Sequence, residues 1–323
     1  MADPRPEIVR RIQEGRTFLV ASHSSPDGDA LGSTAAMGHI LKALGKTFTL
    51  LNDSPVPAQY AWLELPGSMA ERPDNDAYDV AIVLDCGDAP RLGRLQDLLD
   101  PARMVALDHH LGNPGFGAVN WVDPTCCATG EMVALLAKDC GIPLTGPLAE
   151  ALYTALATDT GFFSFGSTTA NSLELVAEMI RGGLDIGATG ARIKNQWTMS
   201  RVRLWSEVLG KLRLRRDGQV GMIGVSQEMF RRTGTSPEDC DGLINNALRI
   251  RGVAVAILVR ELPEGGVKFS LRSVGAVNIQ TVAAAFGGGG HKNAAGGHLS
   301  LSMDAAEDVL VGAVAKAVEA ARA

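Results

Sequence analysis

Acidic and histidine side chains gather at four places in the first half of the chain. The segment Ser22-His-Ser-Ser-Pro-Asp-Gly-Asp-Ala30 supplies His23, Asp27 and Asp29, and Asp85 follows the apolar run Ala81–Leu84. Asp108, His109 and His110 follow Val105–Leu107, and Asp159 closes the run Thr154–Thr158. Four carboxylates (Asp27, Asp29, Asp85, Asp159) and two imidazoles (His23, His109) brought together repel one another unless cations lie among them. The mixed oxygen and nitrogen set suits Mn²⁺, with Mg²⁺ and Co²⁺ as alternatives, and contains no thiolate. Six donors exceed the needs of one octahedral ion once waters are counted. Two ions about 3.5–4 Å apart that share one carboxylate would use them all. Asp85, alone at its strand end, is the expected shared ligand. Each cluster also has an ordinary explanation, since an Asp after a strand commonly caps a helix or makes a turn. Four such clusters in sequence favour the metal.

A second feature lies near the other end. Phe286-Gly-Gly-Gly-Gly-His291 runs into Lys292-Asn-Ala-Ala-Gly-Gly297. Gly288, Gly289 and Gly290 have no side chains in a ligand's way and can turn backbone N–H groups into a nest for phosphate or ribose. With His291, Lys292 and the strand end Ser270-Leu-Arg272 they predict an anion pocket, where Arg272 grips a terminal phosphate through paired hydrogen bonds.

Elements that position these residues are legible from periodicity. Thr17–Ala21, Thr47–Leu51, Val80–Leu84 and Met104–Leu107 read as buried strands, with helical patterns at Ala30–Leu44 and Leu92–Leu99. Helical patterns continue at Thr129–Cys140, Pro147–Thr158 and Ala170–Arg181. Alternation of this kind predicts a doubly wound, mainly parallel sheet, whose ligands sit beyond the carboxyl ends of the strands. Ile186–Leu209 reads as a polar helical connector. Beyond it, Lys211–Arg216 and Gln219–Val225 flank the hairpin signal Asp217-Gly218. A helix at Glu238–Ile250, strands at Val253–Glu261 and Val267–Arg272, and helices at Asn278–Phe286 and Ala305–Ala321 complete a smaller α+β domain. The expected organisation is an α/β catalytic domain over 1–185, a connector over 186–209, a substrate-binding domain over 210–323, and an active-site cleft between the two domains.

Composition narrows the function. The 323 residues carry 30 basic and 36 acidic side chains, a net charge of -6, which argues against gripping long duplex nucleic acid. Five cysteines without a CxxC pair predict neither disulfides nor a zinc knuckle and fit a reducing, cytoplasmic setting. No apolar run reaches membrane-spanning length, and no signal peptide is visible.

The set His23-x3-Asp27-x-Asp29, Asp85, Asp108-His109-His110 and Asp159, with Gly287–His291 downstream, resembles the DHH phosphoesterase superfamily with its DHH-associated C-terminal domain. Length and domain order are most similar to the bacterial nano-RNase and pAp-phosphatase branch. The resemblance implies one ion on His23, Asp27 and Asp85, and a second on Asp29, Asp85, His109 and Asp159. It places His110 at the scissile phosphate, with Asp108 steadying the histidine pair, and gives Ser270, Arg272, Gly288, Gly289, Gly290 and His291 to the far end of a nucleotide. Metal-activated water would then hydrolyse short oligoribonucleotides (nanoRNA, pApA) and 3′-phosphoadenosine 5′-phosphate (pAp), and family habit implies a homodimer. Cyclic-dinucleotide cleavage, pyrophosphate or polyphosphate hydrolysis and non-catalytic nucleotide sensing are the alternatives. A basic Ser-Arg-Lys-Lys segment, which the pyrophosphatase relatives carry, is missing here, as are the added nucleic-acid-binding domains of RecJ-type exonucleases.

Overall fold

Aliphatic and β-branched runs too short for helices become the strands of the first half. The computed structural model describes residues 3–73 and 77–321, with the His291 side chain outside the described set. The strands are β1 (Thr17–Ser22), β2 (Thr47–Leu51), β3 (Met69–Ala70), β4 (Val80–Leu84), β5 (Met104–Asp108) and β6 (Val119–Val122). All pair in parallel, in the order β3-β2-β1-β4-β5-β6. Every residue of β4 and β5 is buried, as a sheet covered on both faces requires. Helices α1 (Arg5–Glu14), α2 (Gly28–Ala43), α3 (Thr129–Asp139), α4 (Gly146–Asp159), α5 (Ala170–Arg181) and α6 (Ile186–Lys194) complete this half.

One sheet face, including Val20, Ile82, Leu84 and Leu107, packs with buried residues of α1 to α5. The other, including Leu19, Ala21, Ala81 and Val83, meets Leu92, Leu95 and Leu99. The helix predicted over Leu92–Leu99 is not there. Ala89–Asp97 forms 3₁₀ turns interrupted at Gly93, whose φ is 62° and ψ -137°. Only glycine fits, because a β-carbon there would lie 2.2 Å from Asp53 Oδ2.

α2 and α4 approach closely through Gly28 and Gly32, one turn apart. A β-carbon at Gly28 would stand 2.4 Å from Thr158 Oγ1, and one at Gly32 2.5 Å from the Ala151 carbonyl. That contact brings the start of α2, with Asp29, beside the end of α4, with Asp159.

The chain divides into two units, Met1–Gln196 and Trp197–Ala323, so Ile186–Leu209 contributes α6 to one and α7 (Met199–Gly210) to the other. The second unit has strands β7 (Arg213–Arg215), β8 (Val220–Val225), β9 (Val255–Glu261), β10 (Val267–Ser273), β11 (Gly289–His291) and β12 (Ala294–Leu299). They form a mixed sheet in the order β11-β12-β10-β9-β8-β7, with β8 and β9 parallel and the other pairs antiparallel. Its helices are α8 (Gln227–Thr233), α9 (Asn245–Leu248), α10 (Gln280–Ala284) and α11 (Met303–Ala320). On β10, Val267, Phe269 and Leu271 share a core with Leu310 and Val314 of α11. By strand alternation, Lys268, Ser270 and Arg272 lie on the opposite face.

Two further expectations change in this unit. Glu238–Ile250 is not one helix but a 3₁₀ turn at Pro237–Cys240 followed by the short α9, with Gly242 at φ 79° between them. The Asp217-Gly218 turn is wider than two residues. Arg215 pairs with Val220, leaving a four-residue loop in which Arg216, Asp217 and Gly218 all have positive φ. Elements α1, α8, β3, β6, β11 and β12 had no expectation in the sequence. Among the described residues no helix is long and apolar enough to cross a membrane.

Candidate metal centre

Strand order reverses between β1 and β4, and an open parallel sheet receives its ligands beyond the carboxyl ends at such a point. His23, Asp85 and His109 stand one residue past β1, β4 and β5 respectively. Asp85 has φ 55°, a left-handed backbone that Asp and Asn tolerate better than most residues. Its amide donates to the Leu107 carbonyl at 3.0 Å, which ties the turn to β5.

Asp27 caps α2, its Oδ1 accepting the amides of Asp29 and Ala30 at 3.1 Å. The ordinary capping role is therefore real, and it fixes Asp27 at the rim of the cluster. Asp29 is buried and met by three donors: Ser33 Oγ at 2.9 Å and the Gly130 amide at 2.9 Å on Oδ1, and the Thr129 amide at 2.7 Å on Oδ2. α3 has Ala128 at its cap and no side-chain cap of its own, so Asp29 takes the free amides and the positive end of the helix dipole.

These elements assemble two trios that share no residue, His23/Asp27/Asp85 and Asp29/His109/Asp159, with the donor atoms of each within 4.8 Å of one another; Asp85, His109 and His110 form a further group of the same kind that overlaps both. His23 Nε2 lies 3.8 Å from Asp27 Oδ1 and 3.6 Å from Asp85 Oδ2. His109 Nε2 lies 3.3 Å from Asp159 Oδ2, 3.7 Å from Asp29 Oδ2 and 3.7 Å from Asp85 Oδ1. Asp85 thus presents one oxygen to each trio. Thr129 Oγ1 donates to its Oδ1 at 3.2 Å.

The donor set fits a cation on one observation in particular. His23 Nδ1 lies 2.8 Å from the Ser24 carbonyl, which only accepts, so the neutral ring carries its proton on Nδ1. Its Nε2 lone pair is then buried without a hydrogen-bond partner and faces two carboxylates, an arrangement that calls for positive charge. Protons respond in the same way. Burial opposes charging His23, yet Asp27 and Asp85 outweigh it and raise its pKa to about 10. Burial raises Asp159 to about 6, with Asp85 and Asp27 adding to the rise against the pull of His109. Burial, then the charges of Asp85, Asp159 and Asp27, push Asp29 well above the usual carboxylate range.

Asp108 accepts from His110 Nδ1 at 2.8 Å and from Asn113 Nδ2 at 2.7 Å. Burial would raise Asp108, but these two bonds outweigh it and hold its carboxyl low. Support for both histidines was expected; the Asp108 hydrogen bond runs to His110, whereas His109 is turned toward Asp29, Asp85 and Asp159. Cys86 beside Asp85 is buried and pushed up to about 12 by burial, consistent with a small apolar filler. Ser33, Thr129, Gly130, Asn113 and Arg91, whose Nη1 lies 3.4 Å from His110 Nε2, were not anticipated. The one sequence signal for them was a helix opening at Ala128 with no capping side chain.

In the second unit Ser270 and Arg272 line a cavity of ≈ 140 Å³ with Lys268, Arg260 and Asp241. Burial lowers the Arg272 pKa. The glycine run departs from the open nest expected of it. Gly289 and Gly290 belong to the edge strand β11 and pair with Gly296 and Ala295 of β12. A β-carbon at Gly288 would stand 2.2 Å from the Gly296 carbonyl oxygen and one at Gly290 2.4 Å from that of Ala294, so close strand approach already demands glycine. The expected role of the His291 side chain lies outside the described residues.

Comparison with known proteins agrees with this architecture. The DHH family N-terminal domain matches residues 17–156 and the DHHA1 domain residues 221–321. The bifunctional oligoribonuclease and PAP phosphatase NrnA of Thermus thermophilus is 31% identical over 309 residues, covering 95% of this chain and 91% of that protein. Its Bacillus subtilis counterpart is 27% identical over 312 residues, covering 94% and 96%. An exopolyphosphatase-related protein from Bacteroides fragilis, known as a crystal structure, superposes with a TM-score of 0.92 at 28% identity, covering 99% of this chain and 98% of that one. The chain belongs to the DHH family, carries a DHHA1 domain in its second half, and is a hydrolytic phosphoesterase.

Proposed function

We propose that the chain hydrolyses very short oligoribonucleotides, pApA-type dinucleotides among them, and 3′-phosphoadenosine 5′-phosphate, with two divalent ions and Mn²⁺ as the first choice. His23, Asp27 and Asp85 would hold one ion and Asp29, Asp85, His109 and Asp159 the other. The observation that carries this reading is the buried, partnerless Nε2 of His23 facing two carboxylates. Bound there, divalent ions acidify a water and offset charge on phosphate oxygens. The chain's own residues do the rest. Asp108 holds the His110 proton at Nδ1 and so turns Nε2 toward the reacting group. Ser270, Arg272, Gly288 to Gly290 and His291 would bind phosphate and ribose of the nucleotide.

Three observations support short nucleotides. Both NrnA relatives bear the names of oligoribonuclease and PAP phosphatase; the net charge of -6 suits few phosphate contacts; and the cavity lined by Arg260, Lys268 and Arg272 is small. The five cysteines are free, which favours work in the cytoplasm.

The test is a turnover panel with Mn²⁺, Mg²⁺ and Co²⁺ on pApA, pAp, a cyclic dinucleotide, pyrophosphate and polyphosphate, beside elemental analysis and sedimentation. Fastest cleavage of the first two, two ions per chain and a homodimer are expected. Preference for polyphosphate would favour the activity suggested by the Bacteroides fragilis relative. Inactivity on all five would sink the proposal.

A further inference from the structure

We propose that Arg91 is a substrate-binding residue of this centre, donating to a non-bridging oxygen of the phosphate under attack; the inference rests on the phosphoester reading above. The geometry carries it from both ends of the residue. The Arg91 carbonyl accepts the Ser24 amide at 2.7 Å, next to His23, and its amide is held by Asp88 Oδ1 at 3.2 Å. Its guanidinium reaches the opposite side of the cluster, with Nη1 3.4 Å from His110 Nε2. Arg91 therefore spans from the loop of one trio to the histidine that follows the other.

Charge supplies the second argument. Arg94, three residues on, is ion-paired to Asp53 and Glu71. Arg91 has no carboxylate within ion-pair distance among the described residues, although the cluster beside it is rich in them. Two divalent ions would cancel the charges of Asp27, Asp29, Asp85 and Asp159, while Asp108 is engaged by His110 and Asn113. An incoming phosphate then brings uncompensated negative charge. The half-buried guanidinium, with one N–H turned to His110, keeps further N–H groups for an oxygen placed beside it. Because the backbone bonds belong to the main chain, they survive replacement of the side chain.

The test uses the full chain loaded with Mn²⁺, with Arg91→Ala and Arg91→Lys compared to the parent. Inorganic phosphate is titrated calorimetrically into each, and kcat/KM is measured on pApA and pAp. For Arg91→Ala, phosphate affinity is expected to fall at least about tenfold and kcat/KM about a hundredfold, with two ions retained and Tm unchanged. Arg91→Lys should recover only part, since an ammonium lacks the planar fork. Retained phosphate affinity in Arg91→Ala, or loss of metal alongside activity, would overturn the assignment. Phosphate binding is read without turnover, so it still judges Arg91 if the parent cleaves neither nucleotide.

Discussion

Asp85 and Gly290 both have positive φ, 55° and 133°, and they do so for different reasons. At Asp85 the left-handed turn swings a carboxylate off the end of β4, so that one oxygen meets each trio. A non-glycine residue held there costs about 1–3 kcal/mol, which is tolerated where the surrounding structure over-determines it. At Gly290 no side chain is delivered, and the conformation lets β11 approach β12. The first unit thus states its chemistry in side chains aimed by strand ends, whereas the second states it in backbone that lacks them. Side-chain chemistry survives translation into residue types. Backbone chemistry is ambiguous, since a glycine run is required equally by a nest, a hinge and a tight hairpin.

The largest expected effect attacks the side-chain half of this contrast. Asp85→Asn keeps the volume and the tolerance of left-handed backbone while removing the shared charge. Its kcat/KM on pApA should drop at least about a thousandfold, and elemental analysis should find fewer than two Mn²⁺ per chain. The metal-free variant should melt higher than the metal-free parent, because one of several crowded carboxylates is gone. Full activity with two ions bound would break the idea that Asp85 is shared.

Next comes the backbone half. Gly288→Ala places a β-carbon 2.2 Å from the Gly296 carbonyl, whereas at Gly289 a β-carbon meets nothing within 4 Å. Overpacking of the first kind costs about 1–3 kcal/mol. Gly288→Ala should lower Tm and raise KM for pApA with Mn²⁺ content unchanged, and Gly289→Ala should leave Tm within a degree or so of the parent, about 0.5 kcal/mol or less. A sharp rise in KM from Gly289→Ala at constant Tm would mean that a ligand, rather than β12, needs that glycine. That outcome would restore the nest to part of the run.

Smaller, and specific to the first unit, is a pH effect. Asp159 titrates near 6 in the folded chain and near 3.8 when unfolded, so the native state holds the extra proton and metal-free stability falls as pH rises between those values. His23, raised to about 10, contributes stability that is complete below 6.5 and is lost as pH climbs through 10. Cations bound at the two trios would replace these protons. The Tm gain on adding Mn²⁺ should therefore grow from pH 5 to pH 8.5, measured by scanning calorimetry, with proton release in the titration. An equal gain at both values would show that the cluster does not exchange protons for metal.

The same contrast explains what was legible. His23, Asp85 and His109 could be placed together because β1, β4 and β5 are uninterrupted apolar runs, and strand periodicity tells where each ends; Asp27 and Asp29 open α2 and Asp159 closes α4, where helical periodicity gives the boundary. Ser33, Thr129, Gly130 and Asn113 were not, since Ser, Thr and Asn at such places are as common in turns and caps as around ligands. Gly93 and Gly242 broke two predicted helices because each needs a left-handed φ that periodicity of apolar residues does not register. Strands β11 and β12 escaped notice for a related reason. Gly289-Gly-His and Ala294-Ala-Gly-Gly carry almost no apolar alternation, and their pairing is driven by close backbone contact.

The smallest expected effect concerns Ser33. Its hydroxyl donates to Asp29 Oδ1 at 2.9 Å, but the same carboxylate also accepts two amides from the start of α3. Removing one of three donors leaves Asp29 oriented, so Ser33→Ala should cost about 1 kcal/mol of stability and change kcat by less than about threefold. The two amides cannot be deleted by side-chain substitution, which makes the hydroxyl the only adjustable member of the set. If Ser33→Ala instead abolished Mn²⁺ binding, orientation of Asp29 would depend on α2 alone, and the uncapped start of α3 would have no part in holding the second trio.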